Sequence, residues 1–380
     1  MQKTFNTEMN IAKLLGIFAI VAGHVKWNIF GDFFTSYSYH IPLFFFISGY
    51  FFKTEIIEGE CLLKKFLRFT KKIISRYLGK FYLYHFFYGG VTFAVFIIFN
   101  RLYGKLPTFK NMTISPIDST PFSLSSPNWF IYQLAISLVA FALIMIICKK
   151  INKNIYFPLS IFLTFAVIAI LISKDNFAAS YGFTRVLIRT LISLFYIYIG
   201  YLYKISLEKK IKYNMQTFSI VLAIHIIVFI LSNTNVNLGL IFAQIHHNIS
   251  PFIIPFTSIY FILFVSKLIA PLIKEGSLAD KIGRNTLHIM ANHKFVIFLI
   301  QLVIFYIDGK PFSQLPHELT NLYYKLYKYK FLYTFLSIVI CTYIGEALHT
   351  TGQYIKSRFN KKSTVKLFAQ SDDVQALPLK

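Results

Sequence analysis

The chain contains only three cysteines and 15 acidic residues among its 380 residues. The cysteines are isolated at Cys61, Cys148 and Cys341 and lack the spacing of metal ligands, so they predict neither a disulfide framework nor a zinc site. The sequence also has no Gly-rich phosphate loop and no repeat of fixed period. We therefore expect no metal cofactor, and no phosphate-loop or repeat architecture.

Charged residues of either sign are also scarce, at 14%, whereas hydrophobic residues make up 56% of the chain. The mean hydropathy is +0.58. The polar surface of a soluble globule cannot cover this much apolar material, so the composition excludes a soluble protein. It predicts an all-α, polytopic membrane helix bundle, because a backbone inside lipid must satisfy its own hydrogen bonds.

Apolar runs long enough to cross a bilayer recur along the chain, since about 20 helical residues span its hydrocarbon core. We count about ten, and this count predicts about ten transmembrane helices. They lie near residues 11–30, 36–52, 81–100, 128–148, 155–173, 184–203, 214–232, 250–270, 286–307 and 329–349. Residues 1–350 are expected to form one membrane domain, and residues 351–380 a cytoplasmic tail that is disordered in part.

The net charge of +24 is typical of nucleic-acid binders, but here the basic residues are concentrated in alternate loops. That pattern instead marks the cytoplasmic side of a membrane protein and predicts that both termini are cytoplasmic. Lys310, Lys325 and Lys328 depart from it, because they fall in a loop predicted to be external. The basic loops cover residues 53–80, 149–153, 204–212, 267–284 and 356–366.

Lys13 and His24 lie within the first apolar run, where ionisable side chains are costly. Eleven residues turn a helix by about 1100°, roughly 20° beyond three full turns, so both side chains share one face. They are separated by roughly 16 Å along the axis, with Lys13 nearer the cytoplasm. This arrangement suits an extended anionic donor that enters from the cytoplasm, with its phosphates at Lys13 and its reactive end at His24.

Each of these two residues also has a purely structural explanation. Lys13 is explained equally well as a lysine that anchors the helix end by extending to the interface. His24 is explained as a histidine hydrogen-bonded to a neighbouring helix, which is common for polar side chains in membranes.

Four sequence motifs are spread along the chain. Residues 10–24 contain a basic residue that is followed by ten residues and a histidine, and residues 39–52 contain an aromatic run that ends in Ser-Gly. Asn-Trp-Phe at 128–130 opens the fourth predicted span, and residues 283–287, with His293, open a late helix. These motifs resemble those of the membrane acyltransferase 3 family, in particular its sugar O-acetyltransferase branch, which includes fucose O-acetylase.

The chain departs from the family pattern at several positions. Asn10 stands where many relatives carry an acidic residue, and Leu14 where they often carry glycine. The basic motif near the third helix is represented by Arg68 and Lys71, with Arg76 further on, and the proline that often follows is absent. None of these departures removes the pair of Lys13 and His24.

The resemblance implies transfer of an acyl group, usually acetyl from acetyl-CoA, to a carbohydrate hydroxyl. It implies that His24 is catalytic, and that Lys13, Arg68, Lys71 and Arg76 bind the donor phosphates. A sugar hydroxyl needs a positioned base, and imidazole titrates near working pH. His24 therefore acts either as this base or as a transient acyl carrier.

Other polar residues are candidates for binding substrate or the reaction's oxyanion. Ser48, Asn128 and Trp129 are possible oxyanion donors. Arg189 is a candidate for an acidic or phosphate group of the acceptor, with pairing inside the bundle as an equal alternative. Glu346, the only carboxylate clearly inside a predicted span, is expected to pair with a buried cation. The full set of substrate-binding candidates is His40, Ser48, Trp129, Arg189, Asn285 and His293.

The expected function is thus O-acetylation of a surface polysaccharide or of its lipid-linked precursor in the cytoplasmic membrane of a bacterium. Expected partners are the bilayer, a carbohydrate acceptor and glycan-assembly enzymes, without nucleic acid. A transporter or exporter of a glycan or small molecule is the main alternative, since buried charges also mark substrate pathways. A membrane scaffold or sensor would explain the helices but not the placement of Lys13, His24 and His40.

Overall fold

The computed structural model describes residues 6–28, 31–100, 102, 104–113, 122–175, 182–232, 238–241, 243, 245, 249–311 and 326–372. These residues are mainly helical and form no β-strand, so the predicted all-α class is confirmed. The helices are α1 (Thr7–His24), α2 (Ser36–Tyr50), α3 (Leu62–Ile73), α4 (Gly79–Phe99), α5 (Phe109–Thr113), α6 (Trp129–Ile151), α7 (Tyr156–Ser173), α8 (Gly182–Leu202), α9 (Met215–Leu231), α10 (Ser250–Ile269), α11 (Leu278–Arg284), α12 (Thr286–Ile307) and α13 (Leu326–Asp372).

Seven helical stretches of the described residues are long and apolar enough to cross a membrane. The other three predicted spans correspond to α1, α2 and α9, which are shorter or more polar. Both α1 and α2 are largely buried inside the bundle, so their outer surfaces are covered by protein. The seven are Leu62–Phe99, Ser123–Ile151, Tyr156–Ser173, Gly182–Leu207, Ser250–Leu272, Thr286–Ile307 and Lys328–Tyr354.

The centre of the bundle is formed by α1, which contacts α2, α10, α11, α12 and α13. Asn6 caps its start, because the Asn6 side chain accepts a hydrogen bond from the backbone N–H of Met9. Nearly every residue of α2 is buried, and α2 packs against α1, α8 and α10. Polar residues on these two helices are therefore held inside the protein.

The crossing of α2 and α8 is close enough to require glycine on both helices. A Cβ atom on Gly49 would lie 1.8 Å from the carbonyl oxygen of Ile197, and one on Gly200 would lie 1.8 Å from that of Phe46. The Ser-Gly ending of the second-helix motif therefore has a packing role, because its glycine allows the two backbones to approach.

The unusual Asn10 is explained by its contact with α11. Its side-chain amide donates to the Asp280 carboxylate at 2.8 Å and to the Asp280 backbone carbonyl at 3.0 Å. Asp280 is buried and also pairs with Arg284 at 2.9 Å. A carboxylate at position 10 would face the Asp280 carboxylate, and like charges at this range repel. An amide is therefore the better partner in this chain.

The last helix, α13, continues past residue 350 to Asp372. The division into a membrane domain of residues 1–350 and a partly disordered tail of residues 351–380 stays a prediction. The sequence between Gln353 and Asp372 contains neither proline nor glycine, so nothing in it breaks a helix. Residues 373–380 of the predicted tail lie outside the described part of the chain.

Candidate functional site

Three histidines meet where α1, α2 and α12 converge. The ring of His24, the last residue of α1, lies 5.0 Å from the ring of His293 on α12, measured between centroids. Tyr37 packs edge-on against His24 at 6.3 Å and against His40 at 5.4 Å. Two of the six predicted substrate-binding residues, His40 and His293, are thus brought next to the predicted catalytic histidine.

The local sequence explains why α1 presents His24 at this point. The helix ends at His24, and Lys26 follows with a left-handed backbone (φ 55°) that turns the chain away. Gly23 lies against the start of α2, where an added Cβ would be 3.2 Å from that of Ser36. The glycine therefore lets the first turn of α2, with Tyr37, approach the end of α1.

Hydrogen bonds fix the tautomers of the two partner histidines. Nδ1 of His293 lies 2.9 Å from the carbonyl oxygen of Ile289, and Nδ1 of His40 bonds the carbonyl of Ser36. A carbonyl only accepts, so each Nδ1 carries the hydrogen, and in the neutral ring Nε2 keeps the lone pair. The His293 side chain is fully buried, and its Nε2 has no partner among the described residues. The site therefore holds a buried acceptor nitrogen beside His24.

Lys294, which sequence reasoning missed, adds a cation to this cluster. Its ammonium donates to Oγ of Ser126 at 2.7 Å. Lys294, His293 and His40 are the titratable groups that act electrostatically on the His24 ring. The sequence signal that could have identified Lys294 is its position directly after His293, inside the apolar run of residues 286–307.

The 3₁₀ segment Ser123–Asn128, which leads into α6, packs against α12 beside the histidines. Besides the Lys294 contact through Ser126, it carries Asn128, whose side chain is fully buried. Neither Nδ2 nor Oδ1 of Asn128 has a partner among the described residues. A buried amide without partners is costly, and such groups are typical of binding or catalytic positions.

Asn128→Leu is expected to separate stability from activity. The substitution removes the unpaired buried amide, whose desolvation costs about 1–3 kcal/mol, so thermal stability should be unchanged or higher. If the amide binds substrate, activity should fall by about tenfold or more. The check is thermal unfolding of the solubilised protein beside an acyl-transfer assay. Equal loss of stability and activity would mean that Asn128 serves only packing.

The Arg189 side chain contacts the Trp129 ring and the backbone carbonyls of Leu240 and Ile241. The guanidinium carbon of Arg189 lies 4.6 Å from the Trp129 ring centroid. Its Nε donates to the carbonyl of Leu240 at 2.8 Å, and Nη2 donates to the carbonyl of Ile241. Cation–π and backbone contacts therefore occupy much of this guanidinium. The predicted role of Arg189 toward an acidic acceptor group stays a prediction.

Ser48 and Asn285 are not brought into the cluster. Oγ of Ser48 donates to the carbonyl of Phe44 on its own helix at 2.7 Å. The Asn285 amide donates to Glu346 on α13. Among the described residues, Glu346 therefore pairs with this amide and forms no ion pair with the buried cation that we expected. Asn285 lies eight residues before His293, which is roughly 12 Å along a helix. In the structure both residues serve contacts within or between helices.

Lys13 and His24 both lie beside α2, which agrees with the shared helix face that their spacing predicts. Nζ of Lys13 lies 5.9 Å from the ring centroid of Phe51, just after α2, whereas His24 contacts Tyr37 at the beginning of α2. The two helices run antiparallel, so both residues of α1 lie on the side that faces α2. Lys13 and His24 therefore lie at opposite ends of the face of α1 that packs against α2.

The basic residues of the third helical region lie on its surface. Arg68, Lys71 and Arg76 are all exposed, and the Arg76 guanidinium carbon lies 5.6 Å from the Tyr77 ring centroid. Exposed cations are available to phosphates, although this arrangement is equally typical of a solvated cytoplasmic face.

A second polar cluster, also missed from the sequence, lies between α4 and α12. Nε2 of His288 is 3.4 Å from Nζ of Lys80, and its Nδ1 is 2.6 Å from the Tyr84 hydroxyl. Tyr88 extends the cluster, because its hydroxyl donates to Oδ1 of Asn292 at 2.6 Å. These contacts join α4 to the helix that carries His293.

A family model described as an acyltransferase domain matches residues 6–351. No curated protein and no solved structure matches the chain. The matched range includes the whole histidine cluster, Lys294 and the 3₁₀ segment. It also includes the basic residues between α2 and α4.

Proposed function

Because the chain belongs to the membrane acyltransferase 3 family, we propose that it transfers acetyl from acetyl-CoA to a hydroxyl of a surface polysaccharide or of its lipid-linked precursor. Its family makes it an acyltransferase, and its apolar helices make it an integral membrane protein. Membership of the sugar O-acetyltransferase branch is part of the proposal. The observation that carries it is the contact of His24 with His293, 5.0 Å apart, beside the cation of Lys294.

A neutral histidine in this position is suited to activate an alcohol. His24 accepts the proton of the acceptor hydroxyl as its oxygen attacks the thioester carbonyl, and returns that proton to the leaving thiolate. The neighbouring His293 and His40 are each fixed in one tautomer, because Nδ1 of each ring is bonded to a backbone carbonyl. Tyr37, which is 42% exposed and contacts both His24 and His40, offers a ring on which a sugar can pack.

The donor is proposed to lie along α1. The pantetheine arm of CoA separates its phosphates from the thioester, and the separation of Lys13 from His24, roughly 16 Å, fits such a molecule. Lys13 and the exposed Arg68, Lys71 and Arg76 would hold the phosphates at the cytoplasmic side. The acceptor would then meet His24 from the opposite side.

The proposal includes a topology and a location. All ten apolar runs cross the membrane with both termini in the cytoplasm, as the alternating basic loops support. The location is the cytoplasmic membrane of a bacterium, and the further partners are enzymes of glycan assembly.

The test compares the surface glycan of the source strain with that of a strain lacking this gene, by mass spectrometry. Loss of acetyl mass from a glycan of normal length and amount is expected, with restoration by the intact gene. Membranes of the complemented strain should also transfer label from [14C]acetyl-CoA to glycan. Unchanged acetylation would contradict the proposal, and loss of the surface glycan itself would indicate an exporter.

A further inference from the structure

Lys294 is a cation in the middle of a membrane-spanning helix. It is the ninth residue of α12, so it lies roughly 12 Å from the helix start and far from either end of the 22-residue span. Placing an ammonium at such depth is costly, and intramembrane cations are usually paired or functional.

Within the part of the chain that the structure describes, no acidic side chain pairs with this charge. None of the ion pairs among the described residues involves Lys294. Its hydrogen-bond partner there is the neutral hydroxyl oxygen of Ser126, at 2.7 Å. An ammonium has three donors, so two remain available to another acceptor. The other titratable groups that act on the His24 ring, His293 and His40, are bases and bring no negative charge.

We propose that the Lys294 ammonium contacts the substrate and holds the negative charge that develops on the thioester carbonyl oxygen during acyl transfer. The inference rests on the proposed function, because it assigns a second role within the same site. Lys294 directly follows His293, whose ring lies 5.0 Å from that of His24. A carbonyl group held between His24 and Lys294 would meet the base on one side and the cation on the other.

The step balances without any further reactant. The acceptor oxygen bonds to the carbonyl carbon, the carbonyl π pair moves to its oxygen, and His24 takes the hydroxyl proton. When the tetrahedral intermediate collapses, the C=O bond re-forms, the C–S bond breaks and the proton of His24 passes to the thiolate sulfur. Lys294 keeps its proton throughout and stabilises the transient oxyanion by charge and hydrogen bonding.

Ser126 is the positioning residue for this cation. Its Oγ accepts one N–H of Lys294 and thereby fixes where the other two can point. The 3₁₀ segment that carries Ser126 also carries Asn128, whose buried amide has no partner among the described residues. Preorganised donors of this kind act strongly where water is excluded.

The test measures transfer from [14C]acetyl-CoA to glycan in membranes of the deletion strain, with each variant normalised to its inserted, monodisperse protein. Lys294→Met is expected to lower kcat by about 10²–10³, the usual effect of removing one oxyanion donor, with the KM for acetyl-CoA little changed. Ser126→Ala should lower kcat by about tenfold, because the ammonium stays but is no longer held.

Lys267→Met is the matched control. Lys267 is also a partly buried lysine on a membrane-spanning helix, but it lies in the last turn of α10. It pairs at 2.7 Å with Glu8, which is at the opposite end of α1 from His24. The kcat of Lys267→Met should stay within about twofold of that of the wild type.

A Lys294→Met kcat close to that of the wild type would overturn the inference. So would an unchanged kcat with a raised KM for the glycan, which would make Lys294 a binder of an anionic acceptor. If Lys294→Met does not insert, Ser126→Ala decides, since an unchanged kcat there contradicts the role of the lysine. Absence of acetyl transfer by the wild type would instead refute the proposed function itself.

Discussion

His24→Ala is expected to reduce acyl transfer by about 10²–10⁴, the usual contribution of a positioned general base. His24 lies at the end of the helix that contacts α2, α10, α11, α12 and α13, and its ring contacts both His293 and Tyr37. The measurement is acetyl transferred to glycan per inserted molecule.

His225→Ala is the matched control for this substitution. His225 is a buried histidine of α9, and it bonds Thr257 of α10 at 2.7 Å and the Phe33 carbonyl at 2.7 Å. Its replacement should lower stability, because two buried partners lose their bond, but leave the rate per folded molecule unchanged. A His24→Ala protein that inserts normally and still acetylates its glycan would disprove the catalytic assignment.

A labelling experiment on the wild-type protein separates the two mechanisms that remain open for His24. Wild-type protein incubated with [14C]acetyl-CoA in the absence of acceptor, then denatured and digested, should carry label on the His24 peptide only if the histidine is an acyl carrier. Base catalysis leaves that peptide unlabelled while transfer to glycan continues. We expect no label, since a base next to the acceptor suffices for the reaction.

The shared face of Lys13 and His24 could be predicted from the sequence, because their relative position depends on the geometry of one helix alone. The eleven-residue spacing places Lys13 and His24 on one face whatever packs against it, and in the structure both lie on the side of α2. The all-α class was predictable for a similar reason, since backbone satisfaction in lipid leaves few choices. Local rules were sufficient for these features.

Contacts between distant parts of the chain were not predictable in this way. The bond between Lys294 and Ser126 joins residues 168 apart, and the partnerless Asn128 amide becomes visible only once the helices are packed. Conversely, Asn285 and Ser48 belong to motifs but make contacts within or between helices. A motif residue can therefore serve only the packing of the helices. Which motif residues lie at the candidate site depends on how the helices pack.

The motif glycine Gly49 gives the largest expected effect on stability. Gly49→Ala should destabilise the folded bundle by about 3 kcal/mol or more, at or beyond the upper end of overpacking effects. The added Cβ would lie 1.8 Å from the backbone oxygen of Ile197, and a backbone cannot rotate away as a side chain does. Gly200→Ala should act equally, because its Cβ would lie 1.8 Å from the Phe46 oxygen. The measurement is thermal unfolding of the solubilised protein, followed by size-exclusion chromatography.

Gly90→Ala supplies the control, since it makes the same chemical change on an exposed face of α4. Apart from its chain neighbours and the nearby backbone of α4, no atom lies within 4 Å of the Cβ position there. Alanine favours a helix over glycine by about 1 kcal/mol, so the stability of Gly90→Ala should be equal to that of the wild type or higher. The contrast between Gly49 and Gly90 therefore isolates the α2–α8 approach from helix propensity. If Gly49→Ala unfolded at the wild-type temperature, the helices would be farther apart than in this structure. The position of His40, which the same helix α2 holds beside Tyr37 and His24, would then have to be reconsidered.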